Sequence, residues 1–302
     1  MKKQKIIIIL GPTGSGKSDL ALDLAKQYNG YLISADSQQI YKGSDIGCNK
    51  DKGFWKGGKF FVDEIAEYLV DFLNPGEKYS AVNWVQDVKK IVESNVSKTP
   101  IVVGGTGLYI SALVNEYSFP GEFDPKLREK IQKKYDKYGL DYLVVKLKKL
   151  DPYIEQKLDL TNPRIVIRAY EIVKTTKKPL QTGKGESVFE FLQIGIDIDR
   201  KKLYEKLNKR AKAQIDEGLI EETQDLLKNI KDKSDPLLLG IGNRNVVKYL
   251  NQEITRDELI ELNARDNRRY AKRQMTWFKR DKNIHWVANF TEAEKIVKNF
   301  LK

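Results

Sequence analysis

The sequence predicts an α/β fold in which a mainly parallel sheet is flanked by helices, with a helical insertion and a helical C-terminal part. Three observations predict it. Residues 6–10 form a continuous apolar, β-branched run that leads through a glycine loop into a stretch with helical spacing. Two more short apolar runs follow turn signals, with a helix-patterned segment between them, and such alternation builds a parallel sheet. From about residue 116 the pattern turns to basic, Tyr-rich helices.

Taken in order, residues 6–10 read as a buried strand, and residues 18–28 carry Leu20, Leu22, Leu24 and Ala25 at mostly helical spacing. Strands at 31–34 and 101–103 each follow a turn signal, Asn29-Gly30 and Thr99-Pro100, with a helix at 82–93 between them. Residues 124–138 open with an Asp-Pro helix start, 140–150 follow Gly139, and another helix spans about 162–175, ended by Lys178-Pro179. Residues 191–198 read as one more buried strand, so the helices before it look like an insertion from which the chain returns to the first sheet. In the last third, Leu203, Leu207, Ala211, Ile215 and Leu219 form one apolar stripe, and helices run through 246–250 and 257–278. The expected organisation is an α/β core at 1–115, a helical insertion at 116–190, and a return to the core with a basic helical part at 191–302.

Composition narrows the function. A chain of 302 residues, 40% apolar and 32% charged, without low-complexity tracts, can bury a core and hold a preformed cleft. The basic start precedes an apolar run too short for a signal peptide, and no apolar stretch approaches the roughly 20 residues that span a bilayer. A cytoplasmic monomer with no membrane role is expected. Cys48 and His285 are the only residues of their kinds, which excludes an internal disulfide and a Cys/His zinc cluster. Cys48 reads as a small buried residue, and His285, between Ile284 and Trp286, as part of a terminal strand. The formal charge of +12 favours a polyanionic partner. Residues 1–115 hold 14 basic and 12 acidic side chains and the rest of the chain 40 and 30, so that partner should meet the later part.

Gly11-Pro12-Thr13-Gly14-Ser15-Gly16-Lys17-Ser18 matches G-x-x-x-x-G-K-[ST] and lies between a strand and a helix, the context such a phosphate loop requires. The fold expectation sharpens accordingly to a P-loop NTPase-like α/β sheet. Backbone N–H groups of the loop surround phosphate oxygens, Lys17 adds charge, Ser18 can hold Mg²⁺, and the helix presents its positive end. The loop itself leaves open whether the phosphates belong to a nucleotide or to a diphosphate on another small molecule. A second cluster, Ser34-Ala35-Asp36-Ser37-Gln38-Gln39-Ile40-Tyr41, ends the second strand at the edge where open α/β sheets bind ligands, so Asp36 points near the loop. An Asp there can also simply cap the next helix. A third cluster, Val103-Gly104-Gly105-Thr106-Gly107-Leu108-Tyr109, ends another strand, where glycines permit close backbone approach.

The order of these pieces resembles the tRNA dimethylallyltransferases, also called tRNA isopentenyltransferases, almost end to end. The resembling stretches continue through Asp45-Ile46-Gly47, Tyr79-Ser80-Ala81, Asp151-Pro152 and Asn162-Pro163-Arg164 with Arg168-Ala169-Tyr170-Glu171. Arg210, Gly218-Leu219-Ile220-Glu221-Glu222, Tyr270-Ala271-Lys272-Arg273-Gln274 and Thr276-Trp277-Phe278 complete the set. The resemblance implies that residues 11–18 bind the diphosphate of dimethylallyl diphosphate, with Thr13, Lys17, Arg210 and Mg²⁺ on Ser18 stabilising it as it leaves. It implies Asp36 as the general base that takes a proton from the adenine amine, whose lone pair is delocalised and poorly nucleophilic. Contacts to tRNA are implied for Asp36, Ser37, Gln38, Gln39, Thr106, Arg128, Arg164 and Arg168, with the target adenosine flipped out of the anticodon loop.

Arg265, Arg268, Arg269 and Lys272 recur at i, i+3, i+4 and i+7 as one basic helix face, while Tyr270, Ala271, Trp277 and Phe278 can turn inward. The sequence departs from the family at Glu67-Tyr68, where two histidines are usual, at Ile165 in place of an arginine, at Cys48-Asn49 in place of Thr-Ala, and at 241–245. Competing readings are an adenylate isopentenyltransferase acting on free nucleotide, a P-loop small-molecule kinase, and a non-catalytic RNA-binding protein. The helical insertion and basic helix weigh against the first, and intact Lys17, Ser18 and Asp36 against the last.

Overall fold

The computed structural model describes residues 3–116, 124–180, 187–230, 232 and 235–302. It divides into two compact units, 1–114 with 187–302, and 115–186.

The first unit is built on an eight-stranded sheet in the order β3-β4-β5-β2-β6-β1-β7-β8. Its centre is β1 (Gln4–Leu10), which pairs in parallel with β6 (Thr99–Gly104) and β7 (Phe189–Ile196). β2 (Gly30–Ser34) lies parallel to β6 on one side, and β8 (Ile284–Val287) parallel to β7 on the other. Ile6 to Leu10 are all fully buried, as a strand covered on both faces must be. Ile7 and Ile9 join Leu20, Leu24 and Ala25 of α1 (Lys17–Gln27) and Ala293 and Val297 of α11 (Phe290–Leu301) in one apolar cluster.

Beyond β2 the sheet is extended by β5 (Ile65–Tyr68), parallel to it, and by the antiparallel pair β4 (Lys59–Val62) and β3 (Phe54–Lys56). α2 (Ala81–Ser94) starts from a Ser80–Asn83 capping box and buries Trp84, which stacks on Tyr109 of α3 (Gly107–Val114). The last third supplies α7 (Arg200–Asp216), α8 (Leu219–Asn229), α9 (Asn243–Leu250) and α10 (Arg256–Phe278).

Two sequence expectations are corrected here. Leu219 does not extend the stripe of α7, because Gly218 (φ 107) breaks the helix and Leu219 begins α8. Trp277 does not turn inward: it is 43% exposed and directs its indole N–H to Ser111, whereas Ala271 and Phe278 are buried.

The second unit consists of α4 (Pro125–Leu150), α5 (Ile154–Lys157) and α6 (Pro163–Thr176) around an apolar cluster that includes Ile131, Leu143, Leu147, Val166 and Tyr170. α4 is two helical stretches joined at Gly139 (φ 78), matching the boundary read from the sequence. Asp124 and Asn162 cap α4 and α6, each followed by Pro at the first helical position. Among the described residues no helix is long and apolar enough to cross a membrane.

Candidate active site

The chain leaves β1 into a loop whose Gly14 (φ 82) and Gly16 (φ 88) occupy the left-handed region that favours glycine. Gly16 caps α1 without any side-chain hydrogen bond, so the first N–H groups of the helix remain free to meet an anion. Burial lowers the Lys17 ammonium below its ordinary range; Arg210 adds to this, while Asp36 and Asp51 oppose it. A half-buried cation beside free amides is poised for a compact, multiply charged anion.

Asp36 stands just past β2. Its position is fixed by the backbone, because Ala35 N–H donates to Val103 C=O at 2.7 Å and Thr106 N–H donates to Ala35 C=O at 3.0 Å. A Cβ on Gly104 would stand 2.3 Å from Ala35 O, so that approach requires glycine. Oδ1 of Asp36 accepts the Gln38 N–H at 2.9 Å in a tight turn rather than capping a helix, and Thr106 Oγ1 accepts the Ser37 N–H at 3.0 Å. Gln39 accepts from the Ser34 hydroxyl and donates to Asn49 C=O.

Arg210 reaches the same place from α7. Its Nη2 donates to Thr13 Oγ1 at 2.9 Å and to Asn267 Oδ1 at 3.3 Å, while its buried Nε has no partner among the described residues. Burial lowers this guanidinium to about 10. A desolvated cation with an unused donor is costly unless a ligand completes it.

Two cavities flank these groups. One of about 320 Å³ is lined by Gly14, Gly16, Lys17, Ser18, Asp51 and Glu67, and the other, of about 310 Å³, by Ser37, Gln38, Gln214, Asn243, Tyr270 and Arg273. Thr13, Asp36 and Arg210 line both, as do Cys48 and Asn49. A larger cleft of about 760 Å³ beside Tyr249 and Ile254 shares no residue with the phosphate loop.

Several of these residues were not singled out from the sequence for the site. Glu67 on β5 is buried and raised to about 8, chiefly by that burial and then by the Asp51 charge. Asp51 is itself raised by burial, against the Ser18 hydroxyl and the Lys17 charge. Burial likewise raises the Tyr270 hydroxyl and the Cys48 thiol, which keeps that thiol protonated; Cys48 itself is half-buried, not buried as the sequence suggests, because it faces both cavities. The departure from the family's histidines at Glu67 was the one sequence signal for the acid pair. Gln274 was visible only as part of a motif. Within the loop, Gly11, Pro12 and Ser15 are buried.

Among the described residues, no group of three or more His, Cys, Asp or Glu is arranged to hold a metal ion unaided. Ser18 and Asp51 together would fit a hard cation that takes its remaining oxygens from phosphate and water.

In the second unit, Arg128 and Arg168 each approach Oε2 of the buried Glu171 at 3.0 Å, and Arg164 stands separately exposed. Arg265, Arg269 and Lys272 form an exposed basic face on α10, with Arg268 half-buried beside Asn208. His285 lies exposed on β8.

Residues 39–281 match the IPP transferase family. A tRNA dimethylallyltransferase of Acetivibrio thermocellus is 40% identical over 304 residues, covering 97% of this chain and 95% of its own length. One from Halothermothrix orenii is 39% identical over 313 residues, covering 98% and 93%. The crystal structure of a tRNA isopentenylpyrophosphate transferase from Bacillus halodurans superposes with a TM-score of 0.69 at 31% identity, over 99% of this chain and 96% of that one. On the extent of these matches, the chain belongs to the IPP transferase family of tRNA dimethylallyltransferases.

Proposed function

We propose that this protein transfers the dimethylallyl group of dimethylallyl diphosphate to the exocyclic amine of the adenosine 3′ of the anticodon in tRNA, releasing diphosphate. The observation that carries the reading is the meeting of two cavities at Thr13, Asp36 and Arg210. The phosphate-loop cavity suits the diphosphate, and the cavity beside Tyr270 suits a flipped purine. A reacting nitrogen and carbon brought together at that junction would need no diffusion between sites.

In the reaction an N–C bond forms at the amine and the C–O bond to diphosphate breaks. The amine proton passes to the Asp36 carboxylate, and the electron pair of the broken bond leaves on diphosphate. The loop N–H groups, Lys17 and Arg210 stabilise the charge that grows on the leaving oxygen. Held by Ser18 with Asp51 beside it, Mg²⁺ would supply further neutralisation of the diphosphate. Arg128, Arg164, Arg168, Ser37, Gln38, Gln39 and Thr106 serve the tRNA, as does the basic face of α10. Such an acceptor makes the cytoplasm the expected compartment.

The test is nucleoside mass spectrometry of tRNA after incubation with the protein, Mg²⁺ and dimethylallyl diphosphate, with AMP as the competing acceptor and ATP as the competing donor. A prenyl mass shift on one tRNA adenosine is expected. Equal efficiency on AMP, or turnover driven by ATP in place of the prenyl donor, would overturn the reading.

A further inference from the structure

The phosphate loop is held by one internal turn bond, Ser15 N–H to Pro12 C=O at 3.2 Å, and by a tie from outside it. Gln274, buried on α10, accepts the Thr13 N–H through Oε1 at 2.9 Å and donates through Nε2 to the Gly105 carbonyl at 2.9 Å. It also hydrogen-bonds Tyr270, one helical turn earlier. Only one orientation of the amide satisfies both backbone groups, since the oxygen must face an N–H and the nitrogen a C=O. A Cβ on Gly105 would stand 2.2 Å from Nε2, so the turn after β6 is cut to fit this side chain. Gly107 is cut likewise to fit Trp277, three residues further along α10. The opposite side of this helix carries the exposed Arg265, Arg269 and Lys272.

We propose that Gln274 is a positioning residue: its amide staples the loop at Thr13 to the turn at Gly105 and so sets the diphosphate cradle from the helix that meets the acceptor. The inference rests on the function proposed above. It commits the Thr13 N–H to Gln274, leaves the amides of Gly14, Gly16 and the first turn of α1 for the ligand while the Ser15 N–H turns back to Pro12 C=O, and holds Thr13 Oγ1 where Arg210 reaches it. Displacement of either end of the staple would misplace the leaving group relative to Asp36, to which catalysis is steeply sensitive.

The test uses Gln274→Glu and Gln274→Met, with transfer kinetics and calorimetric binding of inorganic diphosphate. The protonated acid is an isostere that can donate to Gly105 C=O and accept from Thr13 N–H. The carboxylate cannot donate and opposes that carbonyl. Burial favours the protonated form, so the ratio of Gln274→Glu to wild-type kcat/KM for the donor should approach one at low pH. It should fall about 10- to 100-fold across a series from about pH 6 to 9. The ratio cancels the ionisation of Asp36, which both proteins share.

Gln274→Met, similar in shape but without hydrogen bonds, should weaken diphosphate binding and lower kcat by about 10- to 100-fold, with a ratio flat in pH. A packing role alone would leave the Glu ratio flat and the Met variant near wild type, and either result overturns the proposal. Should wild type fail to prenylate tRNA while diphosphate binding still depends on Gln274 in this way, the proposed function falls and the staple stands.

Discussion

Arg210→Gln separates function from stability in one substitution. The guanidinium is held at about 10 by burial, a penalty on its charged form of about 3 kcal/mol relative to an ordinary arginine. Its two hydrogen bonds, to Thr13 Oγ1 and Asn267 Oδ1, return about 1 kcal/mol each. Removing the charge should therefore leave the ligand-free protein within about 1 kcal/mol of wild type, or within about 2–4 °C in Tm.

The bound state should respond quite differently. A preorganised cationic donor facing a leaving group contributes about 3–4 kcal/mol, so the single-turnover rate should fall about 100- to 1,000-fold. The assay is single-turnover transfer at saturating tRNA, alongside thermal melting with and without inorganic diphosphate. Wild type should gain Tm from diphosphate and the variant should gain little. A rate within about threefold of wild type, or a loss of about 10 °C without ligand, would show Arg210 to be a structural tie rather than the diphosphate's partner.

Asp36→Asn should lower turnover by about 100- to 10,000-fold while sparing diphosphate affinity, because its Oδ1 turn bond survives as an amide oxygen; an unchanged single-turnover rate would remove it as the base. Glu67 is raised from 4.5 to about 8, so between those values the folded chain keeps a proton that the unfolded chain gives up, and stability falls as pH rises through that window. Glu67→Gln should abolish that fall and be the more stable protein near pH 8, by at most about 4 kcal/mol; denaturant midpoints with the wild-type pH slope would refute the assignment. Neutralising Arg265, Arg269 and Lys272 together should flatten the salt dependence of tRNA binding and raise the tRNA KM with donor affinity kept; a slope equal to wild type would exclude α10 from the interface.

The elements legible in the sequence are those whose signal is local. β1, β2 and β6 are strands with buried centres written as short apolar runs, and α1 follows a motif that fixes its first residue. The β3–β5 meander was missed because its strands are three or four residues long and partly exposed. Gly57 and Gly58, both at positive φ between Lys56 and Lys59, were nevertheless the hairpin signal that could have found it. Leu219 was misread because spacing alone continues a stripe that Gly218 interrupts.

The site divides on the same line. Lys17, Ser18 and Asp36 come from contiguous motifs at strand ends, whereas Gln274 and Glu67 arrive from elements whose docking no local pattern encodes. Trp277 shows the reverse: helical periodicity assigned it inward, but its ring packs over the glycine turn at Gly107, where a Cβ would come within 2.4 Å, and stays half in solvent.

Both units hold arginines whose protein partners do not use them up. Arg210 is tied by neutral acceptors, a hydroxyl and an amide, and its Nε is left buried and bare. Arg128 and Arg168 share a single carboxylate, each about one-third exposed, and both contact the same oxygen, Oε2. One negative charge restrains two positive ones, so the cluster keeps a net positive charge and most of its guanidinium donors while losing little side-chain freedom on meeting a phosphate. A carboxylate for every arginine would have neutralised the cluster, and freely mobile arginines would bear the full entropic cost of being fixed on binding. Incomplete pairing is thus the state a phosphate-binding protein should show before its ligand arrives. It differs between the units in the way the proposed ligands differ: a desolvated, single cation for a small diphosphate, and a half-exposed pair for a polymer backbone that stays in contact with water.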